Sequence, residues 1–485
     1  STRLWLKLGC NAARSPSLVL PAARSAMLLR SVLRGGRDGA GLRGFASAVP
    51  AAGVKPRLVI LGTGWGSFRV LSDIDDMQYE VSVISPRNHL LFTPMLASSA
   101  LGTVNQRSIC QPVRPVVAKK NAMYFESSVS KIDKAGKRVE CETLHGEKYS
   151  IPYDKLVVGV GFQPNDFNTP GVKEHALFMK ETADATVFKD HILERLEEAS
   201  VLACLDNVSS LTTEQEQKLR EKLTFVVVGG GPTGVELAGE LTDFLKSEGT
   251  KLYGFIEKYI SVHMLTYDIL NTFDADLQEH AMKHLRKKQQ VEIHLETFVT
   301  AVTADTVTLK MGGKESTLKY GTLVWCAGVK PHKFVADYGF TMNERGTQIL
   351  VDKNLKVKGQ DDIYALGDCA TIEEYWLPQT AQVANQQGTY IANLLNSVGD
   401  PKKKEGSFVF YNKGTMAYLG GFSALMQSVP GMGRLTGFVA FLGWRFTYWF
   451  LQLSMRNRFM LATDWFRTLI FGRDLTRFGP RSSPK

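Results

Sequence analysis

The chain has 485 residues, 44% of them hydrophobic, and a formal net charge of +10. This length predicts two or three domains with sizeable cores, and the hydrophobic share is ordinary for a folded chain. The six cysteines include no C-x-x-C pair, so the sequence predicts neither a zinc site nor a disulfide framework, and a reducing compartment fits best. We predict no metal site.

Positive charge is concentrated at the start of the chain. Residues 1–47 hold eight Lys or Arg and one acid, Asp38, in a stretch dominated by Ala, Ser, Leu and Arg. This composition is typical of a mitochondrial transit peptide, so 1–47 is left out of the fold. A disordered basic tail that binds an anionic partner stays open as an alternative.

A strand and a glycine-rich turn begin the folded part. Leu58 to Leu61 predicts a buried strand, and the turn GTGWGS follows it. Its three glycines are Gly62, Gly64 and Gly66. The turn departs from the dinucleotide fingerprint G-x-G-x-x-G because Ser67 stands at the sixth position. The next predicted strand, 79–84, ends in SPR without the expected acid, so this is the weaker of two nucleotide turns.

Residues 155–161 and 322–328 are strand patterns that end in glycine, and they resemble crossovers between domains. Between these two blocks, the stretch 181–222 is charged and helical in pattern.

The stronger turn lies in FVVVGGGPTGVELAGEL, residues 225–241. Three valines predict the strand before it, and apolar residues at helical spacing follow it, which is the setting that the fingerprint requires. We expect Gly229 to permit the tight turn, Gly231 to let the backbone approach a pyrophosphate, and Gly234 to let the helix pack closely.

An acid after the next strand would complete this fingerprint. We predict a strand over 251–256 that ends at Glu257. A carboxylate there binds the ribose 2′-OH of NADH and repels the 2′-phosphate of NADPH. The sequence therefore predicts a preference for NADH.

A later strand pattern, 362–369, ends in Gly367-Asp368. A carboxylate at this place can hold a hydroxyl of a sugar-like chain. An Asp at a strand end is more often only a turn residue, and both interpretations stay open.

The C-terminal part is apolar and aromatic. Residues 437–455 read GFVAFLGWRFTYWFLQLSM, with Arg445 near the middle. A membrane-spanning helix needs about 20 apolar residues, and a central arginine costs about 2.5 kcal/mol or more. From 434 to 477 there are seven arginines against two acids, which suits an anionic surface. We predict a monotopic membrane anchor, while a homodimer interface and a true membrane span stay open.

The motifs in this order resemble one family. They are GTGWGS, SPRNHLLFTPML, VVGVGFQPN, GGGPTGVELAGEL, WCAGV, ALGDC and TAQVANQQG. From about Lys55 onward the chain resembles the type II NADH dehydrogenases, also called alternative NADH:quinone oxidoreductases, of the two-dinucleotide flavoprotein superfamily. The glycine turns and the GD motif are shared across the superfamily, whereas FTPML and AQVANQQ are more specific to this branch.

The resemblance implies an α/β fold with two Rossmann-like dinucleotide-binding domains and a C-terminal helical membrane-anchoring segment. The NADH domain is inserted into the FAD domain. The implied boundaries are 55–180 and 329–405 for the FAD domain, 181–328 for the NADH domain, and 406–485 for the anchor.

The resemblance also implies the residues of the site. For FAD they are Gly62, Gly64 and Gly66 at the pyrophosphate, Thr93 and Pro94 beside the isoalloxazine, and Gly367 and Asp368 at the ribityl chain. For NADH they are Gly229, Gly231, Gly234 and Glu257, with Glu236 as a carboxylate near the nicotinamide. Gln382 and Asn385 are implied where quinone reaches the flavin, although some members carry His in place of Asn385. A solvated helix acid stays the alternative for Glu236.

The implied activity is hydride transfer from NADH to bound FAD and then two-electron reduction of ubiquinone, without proton pumping, at a mitochondrial inner membrane surface. A sulfide:quinone oxidoreductase and an apoptosis-inducing-factor-like flavoprotein stay as alternatives. The first needs redox cysteines near the flavin. The second mainly binds nucleic acid, which we do not expect because the basic charge lies in the leader and tail rather than in a folded groove.

Overall fold

The computed structural model describes residues 55–205, 211–398, 406–429, 431 and 433–477. The predicted transit peptide, 1–47, lies outside the described residues. Two five-stranded parallel sheets organise the described part, and each contains the strand that leads into one of the two glycine turns.

The first sheet leads into the first glycine turn. Its strands, in spatial order, are Ile363–Ala365, Lys155–Val158, Arg57–Leu61, Glu80–Ile84 and Met123–Phe125. The run Leu58 to Leu61 is almost fully buried, as expected for a parallel strand that is covered on both faces. The edge strand Ile363–Ala365 comes late in the chain, so the second sheet is inserted into this domain.

The second sheet repeats this plan. Its strands, in spatial order, are Leu177–Phe178, Thr322–Trp325, Thr224–Val228, Ser261–Leu265 and Val291–His294. Strand Leu177–Phe178 pairs with Thr322–Trp325, so the second domain begins before the boundary that we expected between 180 and 181.

Smaller sheets complete the strand structure of the two domains. Two antiparallel sheets have the strands Ser127–Asp133, Arg138–Thr143 and Lys148–Pro152, and Thr297–Val302, Thr306–Met311 and Lys314–Lys319. Three strand pairs are His89–Leu91 with Cys110–Pro112, Phe162–Pro164 with Val329–Pro331, and Ile349–Val351 with Ala370–Ile372. The pair Phe162–Pro164 with Val329–Pro331 joins the two crossings between the domains.

Helices connect these strands. The α-helices before the C-terminal part are Trp65–Asp73, Leu96–Ala100, Gln106–Ile109, Arg114–Lys119, Val172–His175, Thr182–Leu205, Thr213–Lys222, Pro232–Phe244, Thr250–Tyr253, Ala275–Lys287, Lys333–Asp337 and Ala381–Asn396. Short 3₁₀ or π turns are Thr93–Met95, Leu245–Gly249, Gly254–Tyr259 and Gly367–Cys369. The helical prediction for 181–222 is confirmed by Thr182–Leu205 and Thr213–Lys222.

The C-terminal part is not purely helical. A three-stranded antiparallel sheet of Thr415–Gly420, Ser423–Val429 and Gly433–Thr436 precedes the helices Gly437–Phe450 and Met455–Phe471. The apolar stretch 437–455 therefore does not form one helix. No helix within the described ranges is long and apolar enough to cross a membrane.

A buried ion pair fastens the C-terminal part to the two domains. Arg473 Nη2 lies 3.1 Å from Glu240 Oε2, and the two side chains are 8% and 3% exposed. Glu240 also accepts hydrogen bonds from Ser98 Oγ at 2.6 Å and Thr103 Oγ1 at 2.7 Å. Residues from the first domain, the second domain and the C-terminal segment thus meet at one carboxylate.

Candidate functional site

A cavity of about 1430 Å³ lies where the first sheet ends in its glycine turn. Seven of the predicted site residues line it: Gly62, Gly64, Gly66, Thr93, Glu236, Gly367 and Asp368. Pro94, Gln382, Asn385, Glu257 and the three glycines of the second turn are not among the lining residues. Thr233, two residues after Gly231, does line the cavity, so the second turn leads to its wall.

The first turn requires glycine at Gly62 and leaves the backbone open at Gly64. Gly62 has φ +91°, and a Cβ there would lie 2.5 Å from the Gly159 carbonyl oxygen. At Gly64 the nearest atom to an added Cβ is Arg87 Nη2, 3.9 Å away. Gly64 is the N-cap of helix Trp65–Asp73, which no described side chain caps. The free N–H groups at this helix end suit a phosphate.

Gly66 has a packing role that the sequence did not indicate. A Cβ on Gly66 would lie 2.0 Å from Leu366 Cδ1 and 3.0 Å from the Ala384 carbonyl oxygen. Packing of the helix therefore requires glycine here. Gly66 also lines the cavity, and its approach to a pyrophosphate stays a prediction. Ser67 fits the sixth position because its buried hydroxyl donates to the Leu61 carbonyl at 2.8 Å.

A basic side chain stands where the first fingerprint lacks an acid. Arg87 lines the cavity and donates from Nη1 to both carboxylate oxygens of Glu181 at 2.8 Å. The Nε of Arg87 is buried without a partner among the described residues. Arginine matches phosphate geometry, so Arg87 suits the phosphate end of a nucleotide. The sequence shows that the acid is missing, but it does not indicate that Arg87 suits a phosphate.

Two motifs of the resemblance meet in the cavity wall. Trp65 Nε1 donates to Thr93 Oγ1 at 3.1 Å, and both residues line the cavity. Pro94 belongs to the same 3₁₀ turn as Thr93.

The Gly367-Asp368 turn presents a carboxylate to the cavity. Gly367 has φ +71°, and its N–H donates to Gln387 Oε1 at 2.7 Å. Burial raises the pKa of Asp368, and Lys180 opposes this shift; no hydrogen bond from the described residues contributes. Gln387 is 3% exposed and was missed, although it lies in the quoted motif TAQVANQQG. No local sequence pattern indicates its contact with Gly367, which lies 20 residues earlier.

The second turn has the geometry of a dinucleotide fingerprint. Gly229 has φ +112°, where a side chain is strained. At Gly231 an added Cβ would meet nothing within 4 Å, so the backbone is accessible. At Gly234 it would lie 2.0 Å from the Gly229 carbonyl oxygen, which is close helix packing. These three environments agree with the roles expected for the three glycines.

The prediction for Glu257 is wrong. Residues 250–259 form helical turns, and the strand that follows the second turn is Ser261–Leu265. Glu257 therefore precedes this strand and lies at its amino end, whereas dinucleotides bind at the carboxyl ends. Its Oε1 accepts from Thr250 Oγ1 at 2.9 Å.

The strand ends at Leu265 and is followed by Thr266, not by an acid. Thr266 Oγ1 donates to the Asp268 carbonyl at 2.6 Å, and a Cβ on Gly230 would lie 2.7 Å from that hydroxyl oxygen. Glu257 therefore gives no support to the expected preference for NADH over NADPH.

Glu236 is not a solvated helix acid. It is 8% exposed, and its Oε1 accepts from the Tyr418 backbone N–H at 3.2 Å. The pKa of Glu236 is raised to about 8, mainly by burial and to a smaller extent by the nearby Glu240, while the Tyr418 hydrogen bond opposes the shift. A carboxyl group that faces the cavity can therefore hold a proton at neutral pH.

Gln382 is engaged with a neighbouring loop. Its Nε2 donates to the Gly414 carbonyl at 3.1 Å, and its Oε1 accepts from the Lys413 N–H at 3.0 Å. Asn385 lies one turn further along the helix Ala381–Asn396 and is half-buried. The structure thus gives Gln382 a positioning role for residues 413–414.

Comparison with known proteins identifies the family. The family model of pyridine nucleotide-disulphide oxidoreductases matches residues 56–388, and that of the NDH2 C-terminal domain matches 412–474. A probable NADH dehydrogenase of Dictyostelium discoideum is 37% identical over 431 residues, covering 87% of this chain and 91% of that protein. The chain belongs to the type II NADH dehydrogenase family.

One further relative agrees with this membership, and one solved structure agrees with the fold. The external NADH-ubiquinone oxidoreductase 2 of Saccharomyces cerevisiae, a mitochondrial protein, is 34% identical and covers 87% of this chain and 82% of its own. The structure of NDH2 from Plasmodium falciparum in complex with NADH superposes with a TM-score of 0.81 at 24% identity, covering 87% of this chain and all of that one. The latter likeness supports the type II NADH dehydrogenase fold.

The open environment of Gly64 generates a first prediction. Gly64→Val puts a branched side chain where the backbone is open to a pyrophosphate, so we expect at least about tenfold lower flavin content. The measurement is flavin released from the purified, folded variant. Gly254→Val is the matched control, because Gly254 also has open space around its Cα and does not line the cavity. Full flavin content in Gly64→Val would contradict the assignment of this turn.

The buried Glu236 carboxyl generates a pH prediction. An unfolded glutamate has a pKa of about 4.3, so raising it to about 8 on folding means that stability falls as pH rises between these values. Above the folded pKa the loss is complete. Glu236→Gln keeps the shape of the side chain but cannot ionise. The melting temperature of this variant minus that of the native protein should therefore increase from about pH 5 to about pH 8 and stay constant above that pH. A difference that does not change with pH would contradict the raised pKa.

Proposed function

We infer that the protein oxidises NADH with bound FAD and reduces ubiquinone, without pumping protons. The observation that carries this inference is a single cavity that is lined by the first glycine turn, by Asp368 and by Glu236 on the helix of the second turn. Its volume, about 1430 Å³, exceeds the roughly 300–1,000 Å³ of ordinary small-molecule pockets. There is room for a dinucleotide and for part of a second one.

The residues of the first domain fit FAD. Gly64 and the uncapped helix after it supply backbone N–H groups for a pyrophosphate, and Arg87, which is paired with Glu181, keeps near them an Nε–H donor that has no partner among the described residues. Asp368 offers an acceptor for a sugar hydroxyl. When bound, FAD supplies the hydride acceptor and the two-electron donor of the reaction.

The residues of the second turn fit NADH. Gly231 leaves the backbone open to a pyrophosphate, and the helix that it caps continues to Thr233 and Glu236 in the cavity wall. Nicotinamide is therefore aimed at the cavity rather than at solvent. Glu236, when protonated, can donate a hydrogen bond to a carbonyl or amide oxygen there. Gln382 and Asn385 lie on the helix Ala381–Asn396, and Gln382 holds the loop at Gly414.

The quinone is a lipid, and the C-terminal helices offer an apolar surface for reaching it. On the first helix Phe438, Leu442, Phe446 and Phe450 recur every fourth residue and are each more than half exposed. On the second helix Met455, Phe459, Phe466, Leu469 and Phe471 are each more than 60% exposed. Exposed apolar residues in this number mark an interaction site, and their aromatic content suits a membrane interface.

The opposite faces of these helices belong to the core. Phe441 and Trp444 are buried, and Trp444 stacks on Tyr418 with ring centroids 5.2 Å apart. Arg445, the central charge of the apolar stretch, lies over the rings of Phe441 and Trp465 at 4.7 and 4.9 Å. This arrangement supports a monotopic anchor, with the helices lying on the membrane and their inner faces packed on protein.

Not all the arginines serve such a surface. Arg473 is buried with Glu240, Arg434 pairs with Asp274, and Arg458 donates to the Phe450 carbonyl at 2.7 Å. Arg456 and Arg477 are exposed. The apolar face therefore carries more of the proposed membrane binding than charge does. With the basic leader and the mitochondrial relatives, it supports a location on the mitochondrial inner membrane.

The cysteines argue against sulfide oxidation. Burial raises the pKa of Cys326 to about 12 and that of Cys369 to about 11, so both stay thiols at neutral pH. A redox cysteine reacts as the thiolate. The five cysteines of the described residues are free.

The activity is tested with purified protein in detergent. We expect FAD as the released flavin, and NADH oxidation that depends on a ubiquinone analogue and does not occur with sulfide. The physical reason is that the cavity presents a dinucleotide turn and no reactive thiolate. Quinone reduction driven by sulfide but not by NADH would overturn the proposed function.

The exposed apolar face is tested with a double variant. Phe446→Glu with Leu469→Glu places charges where burial in lipid is proposed, since the two side chains are 58% and 74% exposed. We expect loss of flotation with liposomes and at least about tenfold slower reduction of a long-chain ubiquinone. Reduction of ferricyanide by NADH should persist, because neither residue lines the cavity.

The matched control for this test is Leu144→Glu, which changes a leucine that is 67% exposed in the hairpin after Arg138–Thr143. Flotation of the double variant at the level of the control would contradict the anchor. Conversion of a dimer into a monomer, without any effect on flotation, would assign the face to a second copy of the chain.

A further inference from the structure

Two histidines and a glutamate converge on the second sheet. Neighbouring parallel strands place His263 opposite Glu292, with His294 two residues further along. His263 Nδ1 lies 3.1 Å from His294 Nε2 and 3.4 Å from Glu292 Oε2. The three side chains can each offer one ligand atom within 4.8 Å of the others.

These separations match the edges of a tetrahedral metal site. Zinc lies about 2.0–2.1 Å from histidine nitrogen and about 2.0–2.2 Å from carboxylate oxygen, so tetrahedral ligand atoms are about 3.3–3.5 Å apart. The two separations measured from His263 Nδ1, 3.1 and 3.4 Å, are within a few tenths of an ångström of that edge. The third separation, between the His294 and Glu292 ligand atoms, lies within 4.8 Å, so the three groups surround a space of the size that a cation needs.

A second hydrogen bond orients His263. Its Nε2 lies 3.2 Å from Ser261 Oγ, and that hydroxyl lies 3.1 Å from Thr224 Oγ1. Metal-binding histidines are usually held in this way through the ring nitrogen that does not bind metal. The bond leaves Nδ1 of His263 directed at the cluster.

The charge of the cluster also suits a cation. His263 is 7% exposed, whereas the Glu292 side chain, which supplies carboxylate oxygens, is 63% exposed. Imidazole binds metal in its neutral form, through the lone pair of a ring nitrogen. Two neutral imidazoles with one carboxylate favour zinc over the oxygen-seeking magnesium and calcium.

We propose that His263, Glu292 and His294 bind a divalent transition metal of the zinc class, with water completing the coordination. His263 precedes Glu292 by 29 residues in the sequence, and only Glu292 and His294 lie close together, two residues apart; no familiar metal-binding spacing results, so the sequence alone indicates no metal. The proposal does not depend on the activity of the enzyme, because none of the three residues lines the cavity.

The cluster is coupled to the nucleotide turn of the second domain. The Thr266 N–H donates to the His294 carbonyl at 3.1 Å, and Thr266 packs against Gly230 in the turn. A metal at the cluster would therefore hold the two strand ends that frame the adenosine side of the proposed NADH site.

The test is titration of tag-free, metal-stripped holoenzyme with zinc ions by calorimetry, with thermal unfolding in parallel. We expect binding of one zinc ion per chain and a higher melting temperature. Replacing zinc with cobalt(II) should give the visible spectrum of a tetrahedral site with nitrogen and oxygen ligands. Glu292→Gln and His294→Asn should each weaken zinc binding at least about tenfold.

Two features keep this test decisive. Glu292 is largely exposed, so Glu292→Gln should fold even if His294→Asn does not. His145→Asn, which removes an exposed histidine of a hairpin, is the matched control and should leave binding unchanged. No zinc binding to the native protein, or equal binding to the native protein and both ligand variants, would overturn the proposal. Neither result would bear on NADH oxidation, which the flavin and quinone assays measure separately.

Discussion

The buried contact between Glu240 and Arg473 is the constraint on which the arrangement of the site depends. One carboxylate receives Ser98 and Thr103 from the first domain and Arg473 from the C-terminal segment, while Glu240 itself belongs to the second domain. Removing one partner of a buried ion pair typically costs about 3–5 kcal/mol, because the other charge is left unpaired. Ser98, Thr103 and Arg473 can all reach the Glu240 carboxylate only if the two domains and the C-terminal segment keep one relative position.

That arrangement determines what faces the cavity. Glu236 lies one helical turn before Glu240, so fixing Glu240 also fixes the position of Glu236 beside the Tyr418 backbone. The helix Pro232–Phe244 has Gly231 as its N-cap and carries Glu236. It therefore connects the second nucleotide turn with the Glu236 carboxyl group and, through the Tyr418 backbone, with the C-terminal sheet. The helices Gly437–Phe450 and Met455–Phe471 continue from that sheet. A few buried contacts therefore set the relative positions of the groups that are proposed to bind NADH and quinone.

The sequence predicted the features that are encoded locally. Both glycine turns follow apolar strands, and the required glycine geometry is visible in the spacing of Gly229, Gly231 and Gly234. The strand prediction that led to Glu257 failed because a short apolar run before Ser261–Leu265 folds as helical turns instead. Contacts such as Gln387 with Gly367, Arg473 with Glu240, or His263 with His294 join distant residues, so no local pattern indicates them.

One cavity is proposed to bring NADH, a flavin and quinone together for electron transfer. Rapid mixing under anaerobic conditions tests this proposal most directly, with the visible absorbance of the bound flavin as the signal. The account predicts that NADH bleaches this absorbance and that a ubiquinone analogue, added in a second mixing step, restores it at a rate that supports turnover. Flavin that NADH does not bleach, or bleached flavin that quinone does not restore, would contradict the account.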